Sequence, residues 1–511
     1  MKTKRTLLLA IDNVSLPLRR KLTLYITKPH IHPDPVVMPQ RDDPTKPDHL
    51  AAVFYGTAIH DGNKFRMWYS PVGNGPDPTV PPELMGEIAT VDVVLARSRP
   101  CYAESKDGLH WEKPILNQSD FRGNKNNNGL DMGFPTTAGA AIIRDDQEPD
   151  PARRYKAIFS YYVYFGPESC ASLGGATSPD GIHWTPGPLK PLSGDFFEAT
   201  GFHRHRNMYV AIGQKTGPHY SENATLSSRQ GRSHISYDFN NWTVAQAESL
   251  LLPEPLDPSQ RGGFSPYDQV HVGIGTANYN NVTVGLFGLW HNQPDFREVT
   301  CDLALAISND GLHFRQVVQG MPYIKHEDSR IAGKKISLPQ SILTQGNGIL
   351  NVGDRTLIYH GRWNSGGIFG KPTAAGSYEA HLEHMDDYYS EIALAEIPRD
   401  RWGGLGVFPN TSEGHLWTAP FRLADAPNQT AISLNVTDAK GITVDIATEQ
   451  LQLISEFQEG KCAAGDGLDS PVSWANDVTQ LAGKTVRLRI NFQRDDNCDP
   501  RLFAVNVDEI Y

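Results

Sequence analysis

Apolar positions along most of the chain come as pairs of short runs separated by a polar or glycine-containing turn. Five such pairs stand out: "AVFYGTAIHDGNKFRMWYSP", "GAAIIRDDQEPDPARRYKAIFSYY", "EATGFHRHRNMYVAIGQ", "HVGIGTANYNNVTVGLFGLWH" and "GILNVGDRTLIYHGRW". Their length, their β-branched and aromatic content and the lack of a 3.6-residue period predict pairs of strands about a turn. Each of the first four pairs is followed by a third run that ends in nearly the same phrase: "YAESKDGLHW", "ATSPDGIHW", "HISYDFNNW" and "AISNDGLHF". The anchors Ser105, Ser178, Ser236 and Ser308 recur at intervals of about 58 to 73 residues, and a degenerate fifth phrase, "IALAEIPRDRW", ends at Trp402. Asp-Gly between two β runs marks a tight hairpin, because glycine accepts the positive φ of the turn, and the aromatic three residues later covers it. The phrase therefore joins the third strand of each unit to an outermost fourth. Five four-stranded units predict an all-β chain built around a five-bladed β-propeller.

Beyond Trp402 a Gly-rich passage, "GGLGVFPNTSEGHLWTAPF", leads into "AISLNVTDAKGITVDIATEQ", "LQLISEFQ", "GKTVRLRINFQ" and "LFAVNVDEIY". These short alternating runs predict a C-terminal β-sandwich, with the propeller over 1–410 and the sandwich over 411–511. A chain of 511 residues exceeds what one core usually holds, and 46 Gly with 37 Pro fit a turn-rich β protein. The net charge of -11 argues against nucleic acid or an anionic membrane as partner. No run approaches the roughly 20 apolar residues of a membrane span. The opening "MKTKRTLLLAIDNVSLPL" is basic, but Asp12 interrupts its apolar stretch and no small-x-small site follows; it reads as a first strand rather than an export leader, and the compartment stays open. Cys462 and Cys498 are the pair that an oxidising compartment would join. The oligomeric state has no signature in the sequence.

A five-bladed propeller followed by a β-sandwich resembles the arrangement of glycoside hydrolase family 32, and the propeller alone resembles families 43, 68 and 130. The chain more closely resembles the bacterial group known as glycosyl hydrolase family 32 N-terminal-like. The matching stretches are "LLLAIDNVSL", "FRMWYS" ahead of "CYAESKDGLHWEKP", "DPARRYKAIF", "EIALAEIPRDRWGGL" and "LAGKTVRLRINF". The resemblance implies a glycosidase acting on an oligosaccharide or polysaccharide. Family 32's own catalytic motifs have only superficial counterparts here, in "HPDP" (His32 to Pro35), "RDDP" (Arg41 to Pro44) and "ESC" (Glu168 to Cys170).

Propeller sites lie on the central axis, where the innermost strands begin, and glycoside cleavage needs two carboxylates, one protonated and one ionised. Acids just ahead of inner strands are Asp48 before "AAVFYG", Glu198 in "SGDFFEATGF" and Asp268 in "SPYDQVHVG", and these three are the catalytic candidates. Asp12 and Asp34 compete with Asp48, although an acid inside an apolar strand equally suits a hydrogen-bonded closure of the ring. His49, Tyr69, Tyr267, His291, Lys335, Gln340, His360 and Arg362 are the candidate substrate-binding residues, with His360 and Arg362 leading in "YHGRWNSGG" toward a Gly-rich loop. Glu379, His381 and His384 lack the spacing of a zinc helix, and no cofactor fingerprint or serine elbow occurs, so neither metal nor cofactor is expected. The leading reading is an exo-acting glycosidase. Its rivals are a uronate-directed lyase, with Arg362 neutralising the substrate carboxylate, and a non-catalytic glycan-binding propeller.

Overall fold

The computed structural model describes residues 3–73, 99–133, 138–165, 168–187, 197–216, 229–250, 273–291, 299–333, 341–364, 388–425 and 430–510. Among them the secondary structure is strand, with a few single-turn 3-10 segments and no α-helix. Four antiparallel units follow the chain from inner to outer strand. The first is Ala51–His60, Phe65–Val72, Cys101–Ser105 and Trp111–Glu112. The second is Ala138–Arg144, Tyr155–Phe165, Glu168–Ser178 and Thr185–Pro186. Glu198–His205, Met208–Thr216, Arg229–Ser236 and Thr243–Glu248 make the third. Ile274–Asn278, Thr283–His291, Thr300–Ser308 and Arg315–Gln316 make the fourth.

The repeated phrase is the turn before each outermost strand, and its residues recur because one hydrogen-bond pattern needs them. Ser105 Oγ accepts from Gly108 N at 2.9 Å, and Asp107 Oδ1 accepts from Leu109 N and His110 N, both at 2.8 Å. Asp180 and Asp310 do the same for their own turns. Gly108, Gly181 and Gly311 sit at φ near +77 to +79°, where an L side chain is strained. The fourth copy puts Phe239 there, at φ +68°. Its ring is buried against Phe202, Tyr209 and Trp242, and that burial offsets a backbone strain of about 1–2 kcal/mol.

These turns carry a pH prediction. Hydrogen bonds to Asp238 from Asn241, and to Asp180 from the His183 turn against the opposing effect of partial burial, lower both carboxyls to about 2; Asp107 and Asp310 are held well below the usual range in the same way. A carboxyl with a depressed folded pKa stabilises the fold above its unfolded value, about 3.9, and that stabilisation is lost as pH falls through the folded value. The melting temperature should therefore drop between about pH 4 and pH 2. In thermal melts the Asp180→Asn, Asp310→Asn double variant should melt below the parent at neutral pH, with the gap closing in acid. A gap independent of pH would contradict the assignment.

Five apolar clusters alternate with the sheets. Trp68 and Tyr102 meet Ile142 and Phe159 between the first and second units, and Ile158 and Leu173 meet Phe197 and Phe202 between the second and third. Ile212 meets Ile274 and Phe287 between the third and fourth. A fifth unit of Ile342–Thr344 with Ile349–Val352, then Arg355–Asn364 and Tyr389–Pro398, packs on the fourth through Leu303, Leu343 and Ile358, and on the first through Phe54, Tyr359 and Ile392. The sheets thus form a closed ring. The fifth unit departs from the sequence expectation, because its outer strand is His30–Ile31, paired through Ala395–Ile31, rather than anything at "IPRDRW". That phrase lacks the Ser-x-Asp-Gly turn, and Trp402 is instead wholly buried in the cluster beneath the fourth and fifth units.

The N-terminal strands also depart from the expected division at 410. Thr3–Leu9 pairs with Arg501–Ile510, Leu18–Arg20 with Glu413–Trp417, and Leu22–Ile26 with Gly403–Val407. They join two sheets facing one core. Thr430–Thr437 and Gly467–Ser473 extend one sheet, and Thr485–Gln493 and Ile442–Thr448 the other. "LQLISEFQ" forms no long strand; Ser455–Phe457 is a 3-10 turn. Thr3–Leu9 serves both bodies, with Leu8 in the core between these sheets and Leu7 and Leu9 against the ring. Asp12 ties the same junction: fully buried, it accepts from Arg315 Nη2 at 2.5 Å and Asn309 Nδ2 at 2.8 Å, which is the structural role that competed with catalysis. Cys462 and Cys498 are free thiols.

Candidate functional site

Side chains and close backbone contacts fill the middle of the ring. Tyr55, on the inner strand of the first unit, reaches past the second unit to the third, where its hydroxyl meets Thr200 Oγ1 at 2.6 Å. Its ring lies over Gly139, where a Cβ would come within 2.7 Å of Tyr55 Cδ1, so only glycine admits this crossing. Further along the axis Asn347 of the fifth unit donates to Phe202 O at 2.6 Å and accepts from Thr276 N at 3.0 Å, joining the third and fourth inner strands. Its backbone pairs with Gly56 and Ala58 of the first. Tyr55 and Asn347 thus cross the ring at two successive levels, and Asn347 lines one end of a cavity of about 1080 Å³ together with Arg144, Arg204 and Asn278 among others.

Glu198 opens the inner strand of the third unit, two residues ahead of Thr200, and is partly exposed. Gln214 Nε2, opposite it in the pairing register, donates to its Oε2 at 2.5 Å. Of the two predicted catalytic acids among the described residues, Asp48 and Glu198, Glu198 is the one with access to solvent. Asp268 lies outside the described residues, as do Tyr267, Lys335 and Gln340, and likewise Glu379, His381 and His384.

Asp48 has a different setting from the one its sequence position suggests. It is fully buried, with Oδ1 accepting from Gln40 Nε2 at 2.8 Å, and Oδ2 accepting from Tyr69 OH at 2.8 Å and Lys113 Nζ at 2.6 Å. Lys113 arrives from just past the outermost strand and also stands over the Tyr69 ring at 5.6 Å, while Asn128 donates to the Tyr69 hydroxyl at 2.9 Å. Both carboxylate oxygens are occupied and no face is open to a sugar. Tyr69 is equally buried, and burial, with the Asp48 charge, raises its phenol well above its ordinary value. His49 is buried as well, its Nδ1 2.9 Å from Lys46 O, and burial lowers its pKa. All three are internal, with Asp48 and Tyr69 joined in one hydrogen-bonded anchor. Asp48→Asn should therefore cost about 2 kcal/mol by leaving the Lys113 ammonium without its counter-charge, while changing turnover by less than about tenfold. Denaturation midpoints and initial rates measured together test this; loss of turnover at full stability would return Asp48 to the chemistry.

His360 and Arg362 are likewise internal. Arg362 donates through Nε to Ser329 Oγ at 2.9 Å, through Nη1 to Pro33 O at 3.0 Å and Glu391 Oε1 at 3.3 Å, and through Nη2 to His32 O at 2.8 Å. Four of its five N–H groups go to internal acceptors, so it fastens the N-terminal segment to the fifth unit. His360 Nε2 is 2.7 Å from Ser329 Oγ, and burial, aided by the Arg362 charge, pushes its pKa down to about 3. The guanidinium that the lyase reading required is not available to substrate.

His291 ends the second strand of the fourth unit and does remain accessible. Its Nε2 is 2.8 Å from Asp302 Oδ2, and His326 Nδ1 is 2.7 Å from Asp302 Oδ1. Burial opposes ionisation of Asp302, but hydrogen bonds with the two histidines hold its carboxyl far below the usual range. Sequence reasoning named His291 but not its neighbours Asp302 and His326, nor Tyr55 and Gln214. The available signal was Asp302 itself, an acid inside the apolar run "TCDLALAIS".

No family model matches the chain, and no curated protein does. Solved structures align at low identity. β-1,2-Mannobiose phosphorylase from Listeria innocua is 11% identical over 73% of this chain and 97% of its own, with a TM-score of 0.44. A glycosyl hydrolase from Bacteroides ovatus is 13% identical over 74% and 95%, at 0.42. A structure described under GH130 glycoside hydrolases that target β-1,2 mannosidic linkages in Candida mannan is 14% identical over 74% and 94%, at 0.43. Similarity at this level leaves the assignment to the side chains.

Proposed function

We propose that the ring is a five-bladed β-propeller, that the paired sheets beside it are an accessory β-sandwich, and that the protein is a glycoside hydrolase releasing a terminal sugar from an oligosaccharide or polysaccharide. The observation that carries the reading is Glu198: a partly exposed acid at the first residue of an inner strand, its carboxylate hydrogen-bonded by Gln214, two residues from Thr200, where Tyr55 crosses the ring. A ring crossed by Tyr55 and Asn347 cannot be threaded by a glycan, and this supports exo action. Glu198 serves as general acid or base, oriented by the Gln214 amide, and Asp268, ahead of the fourth inner strand in sequence, is the second carboxylate. The burial of Arg362 and His360 removes the support for the lyase alternative.

A panel of aryl glycosides and plant, algal and yeast glycans, scored for released reducing sugar, tests the proposal. Release of single sugars from non-reducing ends is expected. Binding without product across the panel would establish the non-catalytic reading instead, and unsaturated uronate products would restore the lyase.

A further inference from the structure

We propose that His291, Asp302 and His326 form a binding site for one first-row transition-metal dication, with zinc the ion that the donor set suits best. Three separate elements bring the donors together. His291 and Asp302 lie on adjacent antiparallel strands, where Leu289 faces Asp302 and His291 faces Thr300. They are therefore diagonal neighbours on one face of the sheet, within reach of long side chains. His326 comes from the segment after the outer strand, which Leu303 pins through paired hydrogen bonds with Ile324 at 2.9 and 3.0 Å.

The candidate ligand atoms, His291 Nε2, an Asp302 oxygen and His326 Nδ1, all lie within 4.8 Å of one another. Atoms bound about 2.0–2.1 Å from one tetrahedral zinc stand about 3.3 Å apart, so small side-chain rotations close the set. The backbone N–H of His326 donates to Asp302 Oδ1 at 2.7 Å, which orients the carboxylate and leaves Oδ2 facing His291.

Charge supplies the second argument. Asp302 is 5% exposed, and among the described residues no lysine or arginine pairs with it; its partners are the two imidazoles. A buried carboxylate requires a counter-charge, and a dication provides it while both rings stay neutral. Two imidazole nitrogens and one oxygen suit zinc or iron rather than calcium or magnesium, which take oxygen ligands. The His291 side chain is 44% exposed and that of His326 24%, so the fourth position opens to solvent. Three protein ligands with an open position define a site that holds water or a substrate oxygen. The inference is independent of Glu198 and of the glycosidase reading.

The same trio without metal is a hydrogen-bonded cluster in which both ring nitrogens facing Asp302 carry protons, and the two states are separable. The full-length protein, stripped with chelator and dialysed, is titrated with zinc by calorimetry and with cobalt by absorption spectroscopy. One equivalent of zinc is expected, with cobalt bands of imidazole and carboxylate coordination. His291→Ala and His326→Ala should each weaken zinc by more than about tenfold, since even outer partners of metal ligands cost that much. His291 ends a strand and is half-exposed, so its variant should keep the parent's circular dichroism. The proposal is overturned if the parent takes up no zinc, or if both variants bind it as the parent does. The parent's cobalt spectrum decides the matter alone should the variants fail to fold.

Discussion

Glu198→Gln is expected to lower turnover of any glycoside the protein cleaves by roughly 10²–10⁴-fold, the usual contribution of a positioned proton-transfer group. The substitution keeps the size of the side chain and its ability to accept from Gln214 at the observed 2.5 Å, so the fold should be preserved. The loss should fall on kcat, with KM nearly unchanged, because glutamine still occupies the same place but transfers no proton. Steady-state kinetics on the best substrate of the panel, with a thermal melt to confirm folding, measure both quantities. Unchanged kcat would remove Glu198 from the mechanism. Gln214→Ala should give a smaller fall in kcat, since it releases the orientation of Glu198 and leaves the carboxyl itself in place.

The second large effect concerns how the ring is closed. Arg362→Met should destabilise the protein by about 3–5 kcal/mol, because it leaves the Glu391 carboxylate buried without its cation. Glu391 is fully buried and accepts from Ala332 N and Gly333 N at 2.8 Å and from Tyr389 OH at 2.9 Å. Those hydrogen bonds persist in the variant, but the charge is uncompensated, and the carbonyls of His32 and Pro33 lose their donor. Amide exchange should quicken first at His32 and Val36, whose N–H groups bond to Leu394 O and Ile392 O. Pairing Arg362→Met with Glu391→Gln should recover part of the loss, since neither charge then remains alone. A change below about 1 kcal/mol in the single variant would show that Arg362 does not hold the closure.

Local hydrogen bonding explains which parts of this architecture are legible in the amino-acid order. The Ser-x-Asp-Gly phrase is self-contained, its serine, aspartate and glycine all bonding within four residues, so three turns and their flanking strands follow from reading it, and a fourth from the serine and aspartate that remain where Phe239 replaces the glycine. Contacts between distant segments leave no such trace. The pairing of His30–Ile31 with Tyr389–Pro398, and of Thr3–Leu9 with Arg501–Ile510, depends on edges that nothing local specifies. The catalytic candidates divide for the same reason. Glu198 lies within the strand that presents it, and position alone locates it. Asp48 stands three residues ahead of an inner strand, and Lys113, Gln40 and Tyr69 converge on it from other segments and enclose it. Arg362 looked like a mouth residue because a Gly-rich stretch follows it; its acceptors, the carbonyls of His32 and Pro33, lie some 330 positions earlier.

Strand Thr3–Leu9 has one further consequence. With Leu8 in one apolar interior and Leu7 and Leu9 in the other, a seven-residue segment belongs to two hydrophobic bodies at once, and neither face can be exposed without peeling back the other. Excising either body would leave a greasy stripe on the remainder, so the pair must be inherited, expressed and melted as one unit. The sheets beside the ring thereby set how firmly Arg315 and Asn281 are held, and through them the far edge of the fourth unit.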